Sequence, residues 1–244
     1  MRPLPTIILI SFIVLVVAFW NRNEIPANID YVDAIYDEPR QVPTREAAFD
    51  VTYDDRTYRV EPQYDYDITG MVVSYRHHKG DSRMHRLSDD HLNMLDVCVI
   101  WGENTANPRL DEITFWNGVF TCNVQTRDSV AWEAFDMFKL SNNHLLSDRE
   151  DIRSQAKELR IGDQIRIRGF LAAYTNPVGG TRGTSTTRLD TGDGACETIY
   201  VQAFEIVEAA TSGWRLAMWA SLAILVTSTI VYFRRPYRPY ADSA

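Results

Sequence analysis

The 244-residue chain predicts a mainly β domain held between two apolar helices. Three observations carry that expectation. Uncharged apolar runs stand near both ends, five segments rich in β-branched and aromatic residues lie between them, and a single capped helical pattern falls between the third and fourth of those segments.

The first apolar run is Pro3 to Trp20 and the second Leu216 to Phe233. A helix of roughly 20 apolar residues crosses a bilayer. No small-x-small cleavage pattern follows Trp20, so the first run reads as a retained anchor rather than a signal peptide. Arg234, Arg235 and Arg238 follow the second run, whereas only Arg215 precedes it. The positive-inside rule then puts both termini in the cytoplasm and the central domain outside it.

From Asn21 to about Ala48 the chain is acidic and punctuated by proline, without a sustained period, and reads as an extended strap. Asp54 and Asp55 stand between two β-rich runs and predict a short hairpin from Phe49 to Val60. Five strands follow: Tyr64 to Tyr75, Asp96 to Gly102, Thr114 to Thr126, Gly162 to Tyr174 and Glu197 to Glu208. In the third, Trp116, Phe120, Cys122 and Val124 share one face; in the fourth, Ile165, Ile167, Gly169 and Leu171 face away from Arg166 and Arg168. The helix starts at Ser147 and Glu150 in capping-box spacing, aligns Ile152, Ala156 and Leu159, and stops at Gly162.

Three strands, a helix and two strands resemble the OB-fold, whose helix lies between its third and fourth strands. The expected fold is therefore mainly β, a five-stranded OB-like Greek-key barrel with one capping helix, flanked by N- and C-terminal transmembrane helices. Its parts are transmembrane helix 1 at 1–20, an extended acidic strap with a short hairpin at 21–63, the OB-like extracytoplasmic domain at 64–208, transmembrane helix 2 at 214–233 and a cytoplasmic tail at 234–244. The segments "FWNGVFTCNVQT", "LSNNHLLSD", "GDQIRIRGFLAAY" and "RGTSTTRLDTGDGACETIYV" look like those of uncharacterised bacterial two-span membrane proteins. That resemblance implies a bacterial inner-membrane location with a periplasmic domain, and no known activity. The His-x-x-x-Tyr haem attachment of the OB-type haem chaperones is absent.

A formal charge of -8 and the lack of a basic stripe argue against nucleic acid as a partner. Cys98, Cys122 and Cys196 all fall in the outer segment, where a disulfide is expected. If the last strand packs near the third, Cys122 bridges Cys196 and leaves Cys98 as a buried thiol. Three cysteines without close pairing do not form a zinc site.

The triplet Asp190-Thr191-Gly192 matches the aspartic-protease motif, but its flanks differ and no second copy exists. Asp190, Asp193 and Glu197 are spaced as oxygen ligands for calcium, except that Gly192 occupies a ligand position. The stretch reads more simply as a β-turn with Asp190 at its corner. Four histidines between Arg76 and His91 suggest a metal or pH-sensing cluster, against a solvated loop. His144 with Asn142 and Asn143 suggests a ligand or base, against a turn before the helix.

No metal, cofactor or catalytic set is expected from these patterns. The leading functional expectation is a membrane-anchored accessory or assembly subunit, with the lipid bilayer and other membrane protein subunits as partners. Small residues Ala217, Ala220, Ser221, Ala223 and Ser228 suit helix packing in the second span. The alternative is an envelope protein that binds an oligosaccharide or peptide through Trp101, Trp116, Arg166, Arg168 and His144. A hydrolase using Asp190 or His144 is third.

Overall fold

The structure is a computed structural model that describes residues 3–26, 29–78, 87, 89–187, 189–190, 192 and 195–235. In chain order it contains α1 (Pro3–Asn21), β1 (Arg40–Pro43), β2 (Phe49–Tyr53), β3 (Arg56–His77), β4 (Asn93–Ile100), β5 (Thr114–Asn117) and β6 (Cys122–Gln125). There follow α2 (Ser129–Glu133), β7 (Leu140–Leu146), α3 (Glu150–Lys157), β8 (Gln164–Thr175), β9 (Thr181–Arg182), β10 (Glu197–Glu208) and α4 (Gly213–Arg234). Two compact units form: Met1–Pro26 with Thr211–Ala244, and Ala27–Ala210.

In the first unit α1 packs on α4, and both helices are long and apolar enough to cross a membrane. Their buried positions, Leu4, Ser11 and Ala18 on α1 and Ser221 and Ser228 on α4, recur every seven residues. That interval keeps one stripe facing the partner helix. Each serine hydroxyl donates to its own helix: Ser11 to Ile8 O, Ser221 to Met218 O and Ser228 to Leu225 O. Small side chains allow close approach without leaving a polar group unsatisfied in an apolar surrounding. At one end of the pair, Trp214 Nε1 in the first turn of α4 donates to Glu24 Oε2, just past α1, at 2.9 Å.

The second unit is an eight-stranded sheet plus the separate two-stranded hairpin β5–β6. Its spine is the 22-residue β3, which pairs antiparallel with β2, β1 and β4 along successive parts of its length and with β8 from Arg59 to Met71. The path runs from β3 through β4, β7 and β10 to β8, and β8 pairs with β3 again. All these pairings are antiparallel except β7 with β10. Register shifts at Pro62/Tyr64 and Val72/Ser74 interrupt the regular pairing of β3, where bulges bend a long strand. Where β8 meets β10, a Cβ at Gly169 would lie 2.1 Å from Tyr200 O, so that seam admits only glycine.

Inward positions supply the core: Ile68, Leu95, Val97, Val99, Leu145, Ile165, Ile167, Leu171 and Val201 are all buried. Helix α3 buries Ile152 and Ala156, packs against β10 and is followed by buried Leu159. Gly162 ends the connection to β8 with φ +90°, a conformation that suits glycine.

Four features differ from the sequence expectation. Thr114 to Thr126 is two short strands, broken where Gly118 N bonds Thr121 O and Phe120 adopts φ +61°. The strand between β4 and β10 is instead β7, whose "LSNNHLL" is too polar to read as a buried strand. Ser147 does not cap α3; its hydroxyl accepts from Arg149 N at 3.2 Å, and Arg149 is the residue before the helix. The strap contributes β1 and β2 to the sheet, so the compact unit begins at Ala27 rather than near residue 64. Val32 N and Gln164 Oε1, 2.8 Å apart, hold part of that strap in place.

Candidate functional site

Register on β4 and β7 aligns a polar face. Asp96 lies opposite His144 and Cys98 opposite Asn142, so these four side chains project from one side of the sheet while Val97, Val99 and Leu145 project from the other. Neighbouring strands extend both rows, with Arg76 opposite Asp96, Ser74 opposite Cys98, and Thr198 opposite His144. The β5–β6 hairpin covers this face. Asn117 Oδ1 accepts from Ser74 Oγ at 2.5 Å, and Gly118 O accepts from Arg76 at 3.2 Å. A disulfide from Cys98 to Cys122, with Cα atoms 5.8 Å apart, ties the hairpin to β4.

That bridge corrects the expected Cys122–Cys196 pairing. The expectation placed Cys122 on a sheet strand beside the last strand; Cys122 instead sits on a hairpin lying over β4, and Cys196 is a free thiol.

Beneath the hairpin, Asp96 is fully buried between two histidines. His144 Nδ1 lies 2.5 Å from Asp96 Oδ1, and His78 Nε2 lies 2.8 Å from Oδ2. Burial alone would push the Asp96 carboxyl up, but the hydrogen bonds from His144 and His78 outweigh it and hold the carboxyl well below its ordinary range. Arg182 on β9 approaches His144 Nε2 at 3.2 Å. An ionised carboxylate only accepts and a guanidinium only donates, so His144 is the neutral tautomer with its proton on Nδ1. Burial lowers the His144 pKa, and the charges of Arg182 and His78 push the same way against the opposing pull of Asp96.

Phe120 closes the cluster. Its ring centroid lies 5.9 Å from His144 and 6.2 Å from His78, and the Arg182 guanidinium stacks 3.9 Å above its face. Its carbonyl accepts from Asn142 Nδ2 at 3.0 Å. These contacts hold an aromatic residue in a left-handed conformation that costs about 1–3 kcal/mol, the kind of local strain that gathers at functional sites.

Two cavities flank Phe120. The larger, about 520 Å³, is lined by Leu87, Phe120, Tyr174, Val178, Asp90 and Arg182, among others. Asp90 accepts from the Tyr174 hydroxyl and from Asn93 N, so both of its oxygens are engaged. Arg182 is half-buried, and no described carboxylate forms an ion pair with it. The smaller cavity, about 260 Å³, is lined by Cys122, Asn142, Asp190 and Cys196.

Of the residues expected to bind, only His144 belongs to this cluster. Trp101 is 1% exposed, with its Nε1 donating to Glu38 Oε2 at 3.3 Å. Trp116 is exposed on β5, Arg166 forks onto Asp67 at 2.9 and 2.6 Å, and Arg168 pairs with Glu205 at 2.9 Å. Asp190 accepts from Ser185 Oγ at 2.6 Å. The histidine run disperses: His78 joins Asp96, while His91 Nδ1 meets Asp54 at 2.9 Å. His85 and Asp193, invoked for a metal cluster and a calcium loop, lie outside the described residues. Among the described residues no group of three or more His, Cys, Asp or Glu stands ready to hold a metal.

The arrangement is a positioning device. Asp96 fixes His144, His144 and Phe120 fix Arg182, and Arg182 faces the larger cavity. Because His144 Nε2 accepts from Arg182, it takes up a proton only if that contact breaks. Asp96 and Arg182 were not singled out from sequence, and Phe120 was read only as part of an apolar strand face. Asp96 had a visible signal, a lone acid inside the apolar run "NMLDVCVI", since buried charges are rare unless paired. Comparison with family models, with curated proteins and with solved structures gives no match.

Proposed function

We propose that the chain is a membrane-tethered recognition protein whose OB-type outer domain captures a ligand in the cavity beneath Arg182. The cavity carries the reading: about 520 Å³, within the size of small-molecule sites, with apolar walls and a positioned cation that has no carboxylate partner among the described residues. The strand cycle β3–β4–β7–β10–β8, with α3 between β7 and β8, supports an OB-type Greek-key barrel. The two apolar helices support tethering at both ends. The disulfide supports an oxidising compartment, and the arginines after α4 support cytoplasmic termini. A peptide with apolar side chains and a carboxylate suits the lining better than a sugar, because Leu87, Val178 and Phe120 offer apolar contact and Arg182 offers a fork for the acid.

Calorimetric titration of the full chain in detergent with apolar di- and tripeptides and with glycan fragments tests this. Saturable peptide binding that falls at least roughly tenfold in Arg182→Gln is expected, the scale of one charge-assisted hydrogen bond. Binding of none of these probes, or binding indifferent to Arg182, would end it.

A second reading, an accessory subunit of a membrane assembly, rests on a different surface. Trp116, Val119, Val130, Trp132 and Phe138 are exposed on the segment between β4 and β7, and Trp132 stacks on Phe135 at 6.3 Å. Exposed aromatic groups of this kind mark protein interfaces. Photo-cross-linking from position 132 in intact membranes should yield one discrete adduct, and a chain that cross-links to nothing removes this reading.

A further inference from the structure

Two cysteines, Cys122 and Cys196, line the smaller cavity, and the third, Cys98, is bonded to one of them. Cys98 is buried in β4 and bonded to Cys122 on the hairpin. Cys196, a half-buried thiol just before β10, lines the cavity wall together with Cys122. Asn142 joins the groups: its Cα lies opposite Cys98, and its side-chain amide donates to Cys196 Sγ at 3.3 Å. One strand, β7, therefore separates Cys196 from Cys98 across the sheet, while Cys122, on the hairpin, shares the cavity wall with Cys196.

We propose that these residues form a thiol–disulfide exchange centre in which Cys196 is the attacking group. The Cys196 thiolate attacks Cys122 Sγ; the Cys122–Cys196 bond forms, the Cys98–Cys122 bond breaks, and Cys98 leaves as a thiolate that takes up a proton equivalent to the one Cys196 gave up. One disulfide is present before and after, so the step needs no outside oxidant or reductant. Asn142 positions the nucleophile and offers the developing thiolate an N–H.

The exchange transfers the hairpin tether from β4 to the start of β10. Phe120 is two residues from Cys122, its carbonyl also lies 3.7 Å from Cys196 Sγ, and its ring covers His78, His144 and Arg182. Moving the tether therefore moves the aromatic lid of the Arg182 cavity. The two disulfide isomers present two forms of that site.

Burial holds the Cys196 thiol above its ordinary pKa, with the Asn142 amide pulling down, Glu197 and Asp96 pushing up and Arg182 pulling down. Asp190 on the same wall adds a further carboxylate. Only the thiolate attacks, so the exchange rate rises roughly tenfold per pH unit below the thiol pKa.

The test uses the full chain isolated without reductant, held in detergent at neutral and at alkaline pH, quenched with acid, alkylated and mapped by non-reducing mass spectrometry. The expected result is Cys98–Cys122 at neutral pH and severalfold more Cys122–Cys196 at alkaline pH, abolished in Cys196→Ser. A second variant, Cys98→Ser, is expected to form Cys122–Cys196 when treated with oxidised glutathione. Cys98–Cys122 alone at both pH values with Cys196 fully alkylated, or a Cys98–Cys196 product, overturns the assignment. So does a Cys98→Ser chain that yields only free thiols or glutathione adducts.

Discussion

Strand β7 carries Ser141, Asn142, Asn143 and His144, yet it is buried from Ser141 to Leu146. Hairpin β5–β6 carries Phe115, Trp116 and Val124, yet none of its strand residues is buried. The difference teaches that satisfaction of polar groups, rather than polarity itself, decides what can go inside. Each polar side chain of β7 finds a partner: Ser141 donates to Glu197 Oε2 at 2.6 Å, Asn142 to Phe120 O, Asn143 to Val97 O at 3.4 Å, and His144 to Asp96. The hairpin covers Asn142 and His144 with its backbone and with Phe120, while its Trp116 and Val119 side chains stay exposed.

The sharpest way to break this comparison is to remove the acid on which the buried row depends. Asp96→Ala should destabilise the chain by about 3–5 kcal/mol, because removing one partner strands the others in a dry site. The check is the unfolding midpoint of the full chain in detergent against guanidinium. Next in size is Cys122→Ser, which frees the hairpin from β4. Its loop spans a sequence separation of 24, for which loop-closure entropy gives about 3 kcal/mol. Hydrogen exchange should then quicken in β5 and β6 and at the newly uncovered face of β4.

A pH series separates the two regions further. The folded pKa of His144 lies below its ordinary 6.5, so the unfolded chain takes up the proton first and stability declines as pH falls through and below that value. Asp96 adds stability that is fully present above its ordinary 3.8 and is lost only as pH falls through the depressed folded value. Thermal midpoints from pH 7 to pH 5 should therefore drop, and His144→Gln should flatten the drop. The smallest effect belongs to the segment between β6 and β7: Trp132→Ser, at a half-exposed position on α2, should cost about 0.5–1.5 kcal/mol, the scale of its stacking on Phe135. Its main effect should appear as loss of cross-linked partner.

The same contrast explains what could be read in advance. The apolar end runs, the Asp54–Asp55 turn, the helix ending before Gly162 and the long strands around Ile165 and Ile199 are local patterns, and the structure contains them. Strand β7 is not a local pattern, because four polar residues in succession become strand only when β4 and β10 supply both edges. The Thr114 to Thr126 run reads as one strand because its apolar alternation conceals a turn at Gly118 to Thr121. Of the site, His144 was visible as a candidate. Arg182 and Phe120 were not, since their roles arise from contacts across 38 and 24 positions of sequence.

The parallel pairing of β7 with β10 has a consequence for how the chain comes to be made. Strand β10 is the last of the sheet, lies between β7 and β8, and leads within a few residues into α4. Until it has been synthesised, β7 and β8 each keep an open edge, a template for joining the wrong strand. The long-range contacts that complete the cycle therefore form late, as the second apolar helix is about to emerge from the ribosome. A chain stalled or truncated before Glu197 would hold four of the five strands of the cycle and be unable to close it.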